Sequence, residues 1–218
     1  SKWKGRDGDA AWKVENGHME VVPGSGSIET REAFGDCQLH LEWAAPTPPT
    51  GEDQGRGNSG VFLRTASKRN WLHTGIEVQI LDSFGSDREI NGCGSLYRQR
   101  RPDVNAAKAP GAWQDYWLRF RAARFEGDAK TEDARITVLH NGALIHDAVA
   151  LPRKTGAGKP EGPGPMPVKL QGHHNEVRFR NVWIEALELE RWNVAALAAT
   201  ANKCLHGAPG ICFVLARS

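Results

Sequence analysis

The residues best suited to chemistry lie in one short stretch, where polar side chains interrupt an apolar strand pattern. In Gly75–Asp82, three apolar residues alternate with Glu77 and Gln79. Successive side chains of a β-strand point to opposite faces, so Glu77 and Gln79 share one face. Two interpretations stay open: an ordinary solvent-exposed surface, or a site in which Glu77 transfers protons.

Asp82 is a second candidate carboxylate. It follows Glu77 by five residues, so strict alternation places it on the opposite face. A β-bulge would return it to the side of Glu77. The pattern Glu-x-Gln-x-x-Asp is then similar to the Glu-x-Asp-x-x-Glu strand of laminarinase-type glycoside hydrolases, in which two carboxylates act as nucleophile and acid/base. The amide of Gln79 and the shorter Asp argue against such a standard pair.

The elements around these residues are typical of a fold of short strands. The chain contains 24 Gly and 12 Pro, which supply many turns. Residues 37–43 alternate between apolar and polar side chains, and Asn16-Gly17 and Asn141-Gly142 are typical hairpin turns. Helical periodicity is nearly absent before residue 188. The sequence therefore predicts an all-β sandwich or barrel.

The domain prediction separates a sandwich domain, residues 1–189, from a C-terminal tail, residues 190–218. The tail contains the Ala-rich stretch 194–201 and is predicted to be a short helix or disordered. Cys37 occupies an apolar position and is predicted to be a buried free thiol. Cys204 and Cys212 bracket a Gly/Pro loop and are candidates for a local disulfide.

Composition limits the partners. With 28 basic and 26 acidic residues the formal net charge is +2, which gives no reason to expect nucleic acid or an acidic membrane. The sequence contains no run of about 18 apolar residues, so it predicts no membrane-spanning helix. The 8 Trp suit sugar stacking but also β-sandwich cores, and we expect most of them in the core. We expect a secreted or periplasmic protein, although no signal peptide is visible in this chain.

Seven segments, in family order across about residues 1–188, resemble the 3-keto-disaccharide hydrolase domain family. They are Gly35–Trp43, Asn58–Gly60, Glu77–Ser83, Val104-Asn105, Pro110–Gln114, Ile136–Gly142 and Val177–Trp183. The resemblance implies a concanavalin A-like jelly-roll β-sandwich of two antiparallel sheets and a carbohydrate substrate oxidised at carbon 3. One departure concerns the family's usual Leu-Gln-Asp-His-Gly, which reads Leu-Gln-Gly-His-His in residues 170–174. The family's Asp is missing here, and the second His is unexpected.

Cleavage of a 3-keto-glycoside needs a base, an acid and positive charge at an enolate oxygen. Glu77, Asp82 and His173 are the candidates for proton transfer, and Arg64 is the candidate for the enolate. A divalent cation such as Ca²⁺, held by the same Glu77, Asp82 and His173, is an alternative Lewis acid. The predicted substrate-binding residues are Gln79, Asn58, Asn105, Lys108 and Gln171.

Each candidate also has a purely structural interpretation. Arg64 would then pair with Glu77, His173 would anchor a loop, and Asn58 would cap a turn. Three functions remain open: cleavage of 3-keto-glycosides by elimination and hydration or net hydrolysis, non-catalytic carbohydrate binding on the same fold, and a laminarinase-like glycosidase using Glu77 and Asp82.

Overall fold

The computed structural model describes residues 1–64, 75–87, 89–153, 155 and 161–187, together with strands 196–200 and 212–216. The chain forms two compact units, Ser1–Ala186 and Leu187–Ser218. The strands of the first unit are β1 (Trp3–Lys4), β2 (Lys13–Glu15), β3 (His18–Glu20), β4 (Ile28–Thr30), β5 (Cys37–Ala44), β6 (Ser59–Leu63), β7 (Ile76–Ile80), β8 (Gln114–Arg121), β9 (Arg124–Glu126), β10 (Ala129–Glu132), β11 (Ala134–His140), β12 (Ala143–Leu151), β13 (Lys169–Leu170) and β14 (Arg178–Ala186).

Two antiparallel sheets dominate the first unit. One has five strands in the order β1-β4-β13-β6-β7, and the other has seven in the order β12-β11-β8-β5-β14-β3-β2. A short 3₁₀ turn, Asp53–Gly55, lies in the loop before β6. Apolar residues of both sheets form one buried cluster, which includes Leu41, Val61, Val78, Leu118 and Phe179. This arrangement confirms the all-β sandwich of antiparallel sheets.

Local patterns placed several residues correctly. Asn16 and Asn141 have φ of 49° and 51°, and each starts a two-residue turn that joins antiparallel strands. A positive φ at both turn residues matches the twist of the flanking strands, which favours Asn-Gly. Cys37 is a buried free thiol, as predicted, and burial raises its pKa to about 12. The side chains of the pair Cys204 and Cys212 lie outside the described residues.

The Trp residues are distributed differently from the expectation. Trp12 and Trp43 are buried in the core, but the other described Trp side chains are only half-buried. Alternation places Trp117 of β8 and Trp183 of β14 on the opposite face of the seven-stranded sheet from the core. There the two rings pack against each other and against His40, with ring centroids 5.2 Å apart for the Trp pair.

The tail also differs from the prediction. In the second unit, β15 (Ala196–Thr200) pairs antiparallel with β16 (Cys212–Ala216), so the Ala-rich stretch contains a strand where a short helix or disorder was expected. Backbone pairing with a partner strand outweighs the modest helix preference of Ala in so short a segment. In the part of the chain that the structure describes, no helix is long and apolar enough to cross a membrane.

We expect truncation after Leu189 to leave the first unit folded, because that unit contains both main sheets and the apolar cluster. Thermal unfolding of the truncated and full chains checks this. Cooperative melting at a similar temperature is the expected result, and loss of the cooperative transition would show that the tail is needed for folding.

Candidate functional site

The candidate site lies on the face of the five-stranded sheet that is opposite to the apolar core. The register pairs Glu77 with Phe62 and Gln79 with Gly60 across β7 and β6. On the other side of β6, Lys169 of β13 pairs with Phe62. The alternate residues of these strands belong to the core cluster. We call this surface the polar face; it comprises Gly60, Phe62, Glu77, Gln79, Lys169 and Gln171.

Gly60 leaves a dent in the polar face. A Cβ atom on Gly60 would lie 2.7 Å from Oε1 of Glu77 and 3.2 Å from Cε2 of Phe62. Both distances are shorter than ordinary van der Waals contacts, so the Glu77 carboxylate occupies space that any larger residue would take. The absence of a side chain at Gly60 therefore lets Glu77 lie against the backbone of β6.

Glu77 is a buried carboxyl group with no counter-charge among the residues that the structure describes. The residue is 2% exposed, and burial raises the pKa of its carboxyl group to about 8. Its backbone N–H donates to Oγ1 of Thr155 over 2.7 Å. Its carboxylate makes no hydrogen bond or ion pair with the residues that the structure describes. Such a group is poised for proton transfer near neutral pH.

Gln79 lies two residues further along the same face and is 1% exposed. Its Nε2 donates to Oδ1 of Asn58 over 3.3 Å and to Oε1 of Gln54 over 3.4 Å. Asn58 is held in turn, because its Nδ2 donates to the Gln54 carbonyl over 2.6 Å and its backbone N–H donates to Oδ1 of Asn175. Asn58, Gln54 and Gln79 thus form one hydrogen-bonded cluster.

Gln171 and His173 follow β13 towards this cluster. The Gln171 backbone N–H donates to the Gly60 carbonyl over 2.9 Å, and its carbonyl accepts a bond from the Ser59 hydroxyl. His173 is half-buried, and burial is the main reason that its pKa is lowered. Its ring centroid lies 5.8 Å from that of His174. The structure thus places Gln171 beside the dent, with His173 two residues further on.

Asp82 has a different partner from the one that the sequence suggested. The pairing of β7 with β6 is regular throughout, so no bulge lies within the strand. Leu81 joins Ile80 in the core cluster, and the alternation shifts only beyond the strand end. The Asp82 carboxylate accepts a bond from Nε of Arg56 over 2.6 Å. This ion pair engages Asp82, and no described contact joins it to Glu77.

Arg64 does not lie beside Glu77. It has a φ of 58° and follows the last residue of β6, so the strand alternation no longer sets its direction. The side chain is buried, donates to the Gly162 carbonyl and lies 3.8 Å from the Glu161 carboxylate. The predicted contact of Arg64 with Glu77, as an enolate-stabilising neighbour or as an ion pair, is replaced by the pairing with Glu161.

Asn105 and Lys108 have structural partners away from the polar face. The Asn105 amide donates to the carbonyls of Ser83 and Ser86 over 2.8 and 2.9 Å, and so fastens two loops together. Lys108 donates from Nζ to the Trp113 carbonyl over 3.3 Å. Substrate binding by either residue has no support from this arrangement.

The side chains predicted to hold a divalent cation do not converge on one site. Asp82 forms an ion pair with Arg56, and no charged group in the described part of the chain shifts the pKa of Glu77. Within the described ranges, no group of three His, Cys, Asp or Glu side chains could hold a metal ion. The set Glu77, Asp82 and His173 therefore does not fit a Ca²⁺ site, since such a site needs six to eight converging oxygen ligands.

Three residues of the site were not predicted from the sequence. Gln54 lies in the long loop before β6, Thr155 in the loop after β12, and Lys169 in a strand of only two residues. None of them shows a periodic pattern. Gln54 also lines an open groove of about 710 Å³. The groove lining is mainly acidic and polar: Glu52, Asp53, Gln54, Arg56, Leu81, Asp82, Ser83, Phe84, Ser86, Asp87, Glu89 and Asn91.

The family departure at residues 172–174 coincides with close backbone packing at Gly172. A Cβ atom on Gly172 would lie 2.2 Å from the backbone oxygen of Gly26, so an Asp does not fit this backbone. His174, which replaces the family's usual Gly, has a φ of 65°. Left-handed backbone is less favourable for any residue that has a Cβ atom than it is for Gly.

We therefore expect His174→Gly to raise the free energy of unfolding by about 1 kcal/mol, because Gly removes the left-handed strain of an exposed residue. Gly172→Asp should lower it by more than 1 kcal/mol through the contact with Gly26. Chemical denaturation of both variants checks the two signs. Equal stability of Gly172→Asp and the parent would show that this loop adapts to a side chain.

In sequence, the chain matches the 3-keto-alpha-glucoside-1,2-lyase-like domain over residues 1–185. No curated protein matches it significantly. A solved structure from Parabacteroides distasonis, described as a candidate glycosyl hydrolase, is 34% identical with a TM-score of 0.76, and the match covers 86% of this chain and 79% of that chain.

Two further candidate glycosyl hydrolases from the same organism show the fold alone. One is 19% identical with a TM-score of 0.65, and the match covers 86% of this chain and 89% of that one. The other is 22% identical with a TM-score of 0.59, and covers 86% of this chain and 100% of that one. The family match spans both main sheets and the polar face. The chain therefore belongs to the 3-keto-alpha-glucoside-1,2-lyase-like domain family, which confirms the resemblance seen in its sequence.

Proposed function

We propose that the chain is a carbohydrate-active enzyme that cleaves 3-keto-glycosides by elimination followed by hydration, with Glu77 as the general base. The observation that carries the proposal is the buried Glu77 carboxyl group, raised to a pKa of about 8 and held over the Gly60 dent. A carboxylate with a raised pKa is a stronger base, and general bases work best when their pKa lies near the working pH.

The C3 ketone makes the hydrogen on C2 more acidic. A carboxylate such as Glu77 is therefore a strong enough base for the first step. Glu77 takes the proton from C2, and the C–H electron pair enters the C2–C3 bond while the C3 oxygen becomes an enolate. When the ketone re-forms, the electrons move into the C1–C2 bond and the C1–O bond breaks. Water then adds across the C1–C2 double bond, with the hydroxyl at C1 and the proton at C2.

Two other groups complete the proposed machinery. The leaving glycosidic oxygen needs a proton, and His173, close in the chain to Gln171 of the polar face, remains the candidate donor. The enolate needs positive charge, and Lys169 shares the polar face with Glu77 across Phe62. Lys169 thus takes the role that the sequence suggested for Arg64. Burial lowers the Lys169 pKa, while nearby Glu29 raises it, so Glu29 favours its charged form.

A carbohydrate-binding domain without catalysis is the second candidate. It is favoured by Gly172, which stands where the family usually has Asp. The same polar face would then bind sugar hydroxyls without proton transfer.

Incubation with methyl 3-keto-glucoside and, separately, with its unoxidised parent tests these functions. We expect turnover of the ketone alone, with release of methanol in the elimination step. Binding of either compound without turnover would favour the binding domain. Turnover of the unoxidised parent would instead indicate a conventional glycosidase and would contradict the elimination chemistry.

A further inference from the structure

The orientation of the Gln79 amide is determined by its neighbours. Nδ2 of Asn58 donates to the backbone carbonyl of Gln54, and a carbonyl can only accept. Oδ1 of Asn58 therefore faces Gln79 and requires a donor there, which is Nε2 of Gln79. The hydrogen-bond network thus distinguishes the amide oxygen of Gln79 from the amide nitrogen.

This orientation leaves the Oε1 atom of Gln79 buried without a hydrogen-bond partner among the described residues. A buried acceptor that lacks a hydrogen bond is unfavourable, because it has lost its contact with water and has gained no partner. Glu77, the next residue on the same face, likewise has no described partner for its carboxylate. Two acceptors, each 1–2% exposed, therefore share one face, and neither has a donor among the residues that the structure describes.

We propose that Oε1 of Gln79 accepts a hydrogen bond from the C4 hydroxyl of the 3-keto ring, and that Gln79 thereby makes the enzyme specific for substrates with a free C4 hydroxyl. This inference rests on the proposed function, in which Glu77 acts at C2. C2 and C4 are the two ring positions that flank the ketone carbon.

The spacing along β7 suits this pair of ring positions. Glu77 and Gln79 are two residues apart, so their Cα atoms are separated by about 6.6 Å. Two acceptors that contact C2–H and the C4 hydroxyl lie outside the ring, each about 3 Å from the group that it contacts. The distance between the two acceptors is therefore greater than the distance between C2 and C4. Gly60, which faces Gln79 in the register, has no side chain to separate Gln79 from the Glu77 carboxylate, so one ring on the polar face would approach both acceptors.

The test compares kcat/KM for methyl 3-keto-glucoside and its 4-deoxy analogue. A site built to accept a hydroxyl discriminates strongly against the analogue that lacks it, and we expect about 10²-fold lower kcat/KM for the 4-deoxy ketone. In Gln79→Met, which removes the acceptor at similar length, this ratio should fall close to one. Gln79→Glu keeps an acceptor oxygen and should retain a preference for the hydroxyl.

A purely structural role for Gln79 predicts a different result, because a distorted site would slow both ketones equally and leave their ratio unchanged. That outcome, or equal kcat/KM for the two ketones in the parent enzyme, would overturn the inference while leaving the elimination chemistry intact. If neither ketone is turned over, the proposed function fails, and the inference is then tested by calorimetric binding of both ketones to the parent and to Gln79→Met. At least tenfold weaker binding of the 4-deoxy ketone by the parent alone supports it, and equal affinities contradict it.

Discussion

Glu77→Gln is expected to lower kcat/KM on methyl 3-keto-glucoside by about 10²-fold or more, the usual contribution of general acid–base catalysis. Gln preserves the size of the side chain over Gly60 but cannot take up the C2 proton. Steady-state kinetics of the variant and the parent measure the effect. Unchanged turnover would remove Glu77 from the mechanism.

The pH dependence provides an independent check on the same residue. A base must be ionised and a general acid protonated, so kcat/KM of the parent should be bell-shaped, with one inflection at the lowered pKa of His173 and the other at the Glu77 pKa of about 8. The residual activity of Glu77→Gln should lack the Glu77 inflection. A parent profile without an inflection near pH 8 would contradict the role of Glu77 as the base.

The stability of Glu77→Gln should change in the opposite direction from its activity. Burial raises the folded-state pKa of Glu77 above the ordinary value of 4.5, so its ionisation destabilises the fold progressively between pH 4.5 and 8. Removing the charge should therefore stabilise the protein at pH 7, by up to about 3 kcal/mol. This result would separate loss of chemistry from loss of folding.

Glu161→Gln is the matched control. Glu161 is also a buried carboxyl group whose pKa is raised mainly by burial, but it lies beside Arg64 and Lys130 rather than on the polar face. Its neutralisation should leave kcat/KM within a few-fold of the parent. An equal loss of activity in both variants would point to a general effect of removing buried charge.

Acid is expected to destabilise the fold through two histidines that are buried in neutral form. Nε2 of His140 lies 2.9 Å from Oε1 of Gln114, and Nε2 of His146 lies 2.7 Å from the Gly94 carbonyl. Nδ1 of His146 faces the guanidinium of Arg100 at 2.6 Å and must accept a hydrogen bond there. Burial is the main reason that the pKa falls to about 3 for His140 and about 4 for His146.

The direction of this change in stability with pH follows from the linkage between proton binding and folding. Both folded-state pKa values are below the ordinary 6.5, so the unfolded chain binds more protons than the folded one below that pH. Stability that is fully present above pH 6.5 is then lost as the pH falls. Each histidine contributes about 1.4 kcal/mol per pH unit, and together they should cost about 3 kcal/mol between pH 6.5 and 5.

Glu77 opposes this loss in the parent, because its raised pKa makes protonation favour the folded state over the same range. Denaturant unfolding between pH 5 and 7 should therefore show a steeper loss in Glu77→Gln than in the parent, by close to one proton. His146→Gln in the Glu77→Gln background should remove about one proton from that dependence. Parallel pH dependences in the parent and in Glu77→Gln would contradict the buried, uncompensated carboxyl at residue 77.

Much of the polar face was predictable from local pattern. Alternation along β7 placed Glu77 and Gln79 on one face, and the same rule identified Cys37 as buried. The Asn-Gly turns at residues 16 and 141 followed from the backbone twist that short hairpins require. These inferences held because strand geometry repeats every two residues and needs no knowledge of distant parts of the chain.

Tertiary structure alone decided which groups meet Glu77 and Gln79. Thr155, which binds the Glu77 backbone, and Gln54, which orients the Gln79 amide with Asn58, come from loops that carry no periodic signal. Arg64 leaves the alternation at a positive φ and pairs with Glu161, while Asp82 is engaged by Arg56 of another loop. Sequence patterns describe directions within a strand, but charge partners depend on how loops close across sheets, and that is set by the packing of the whole domain.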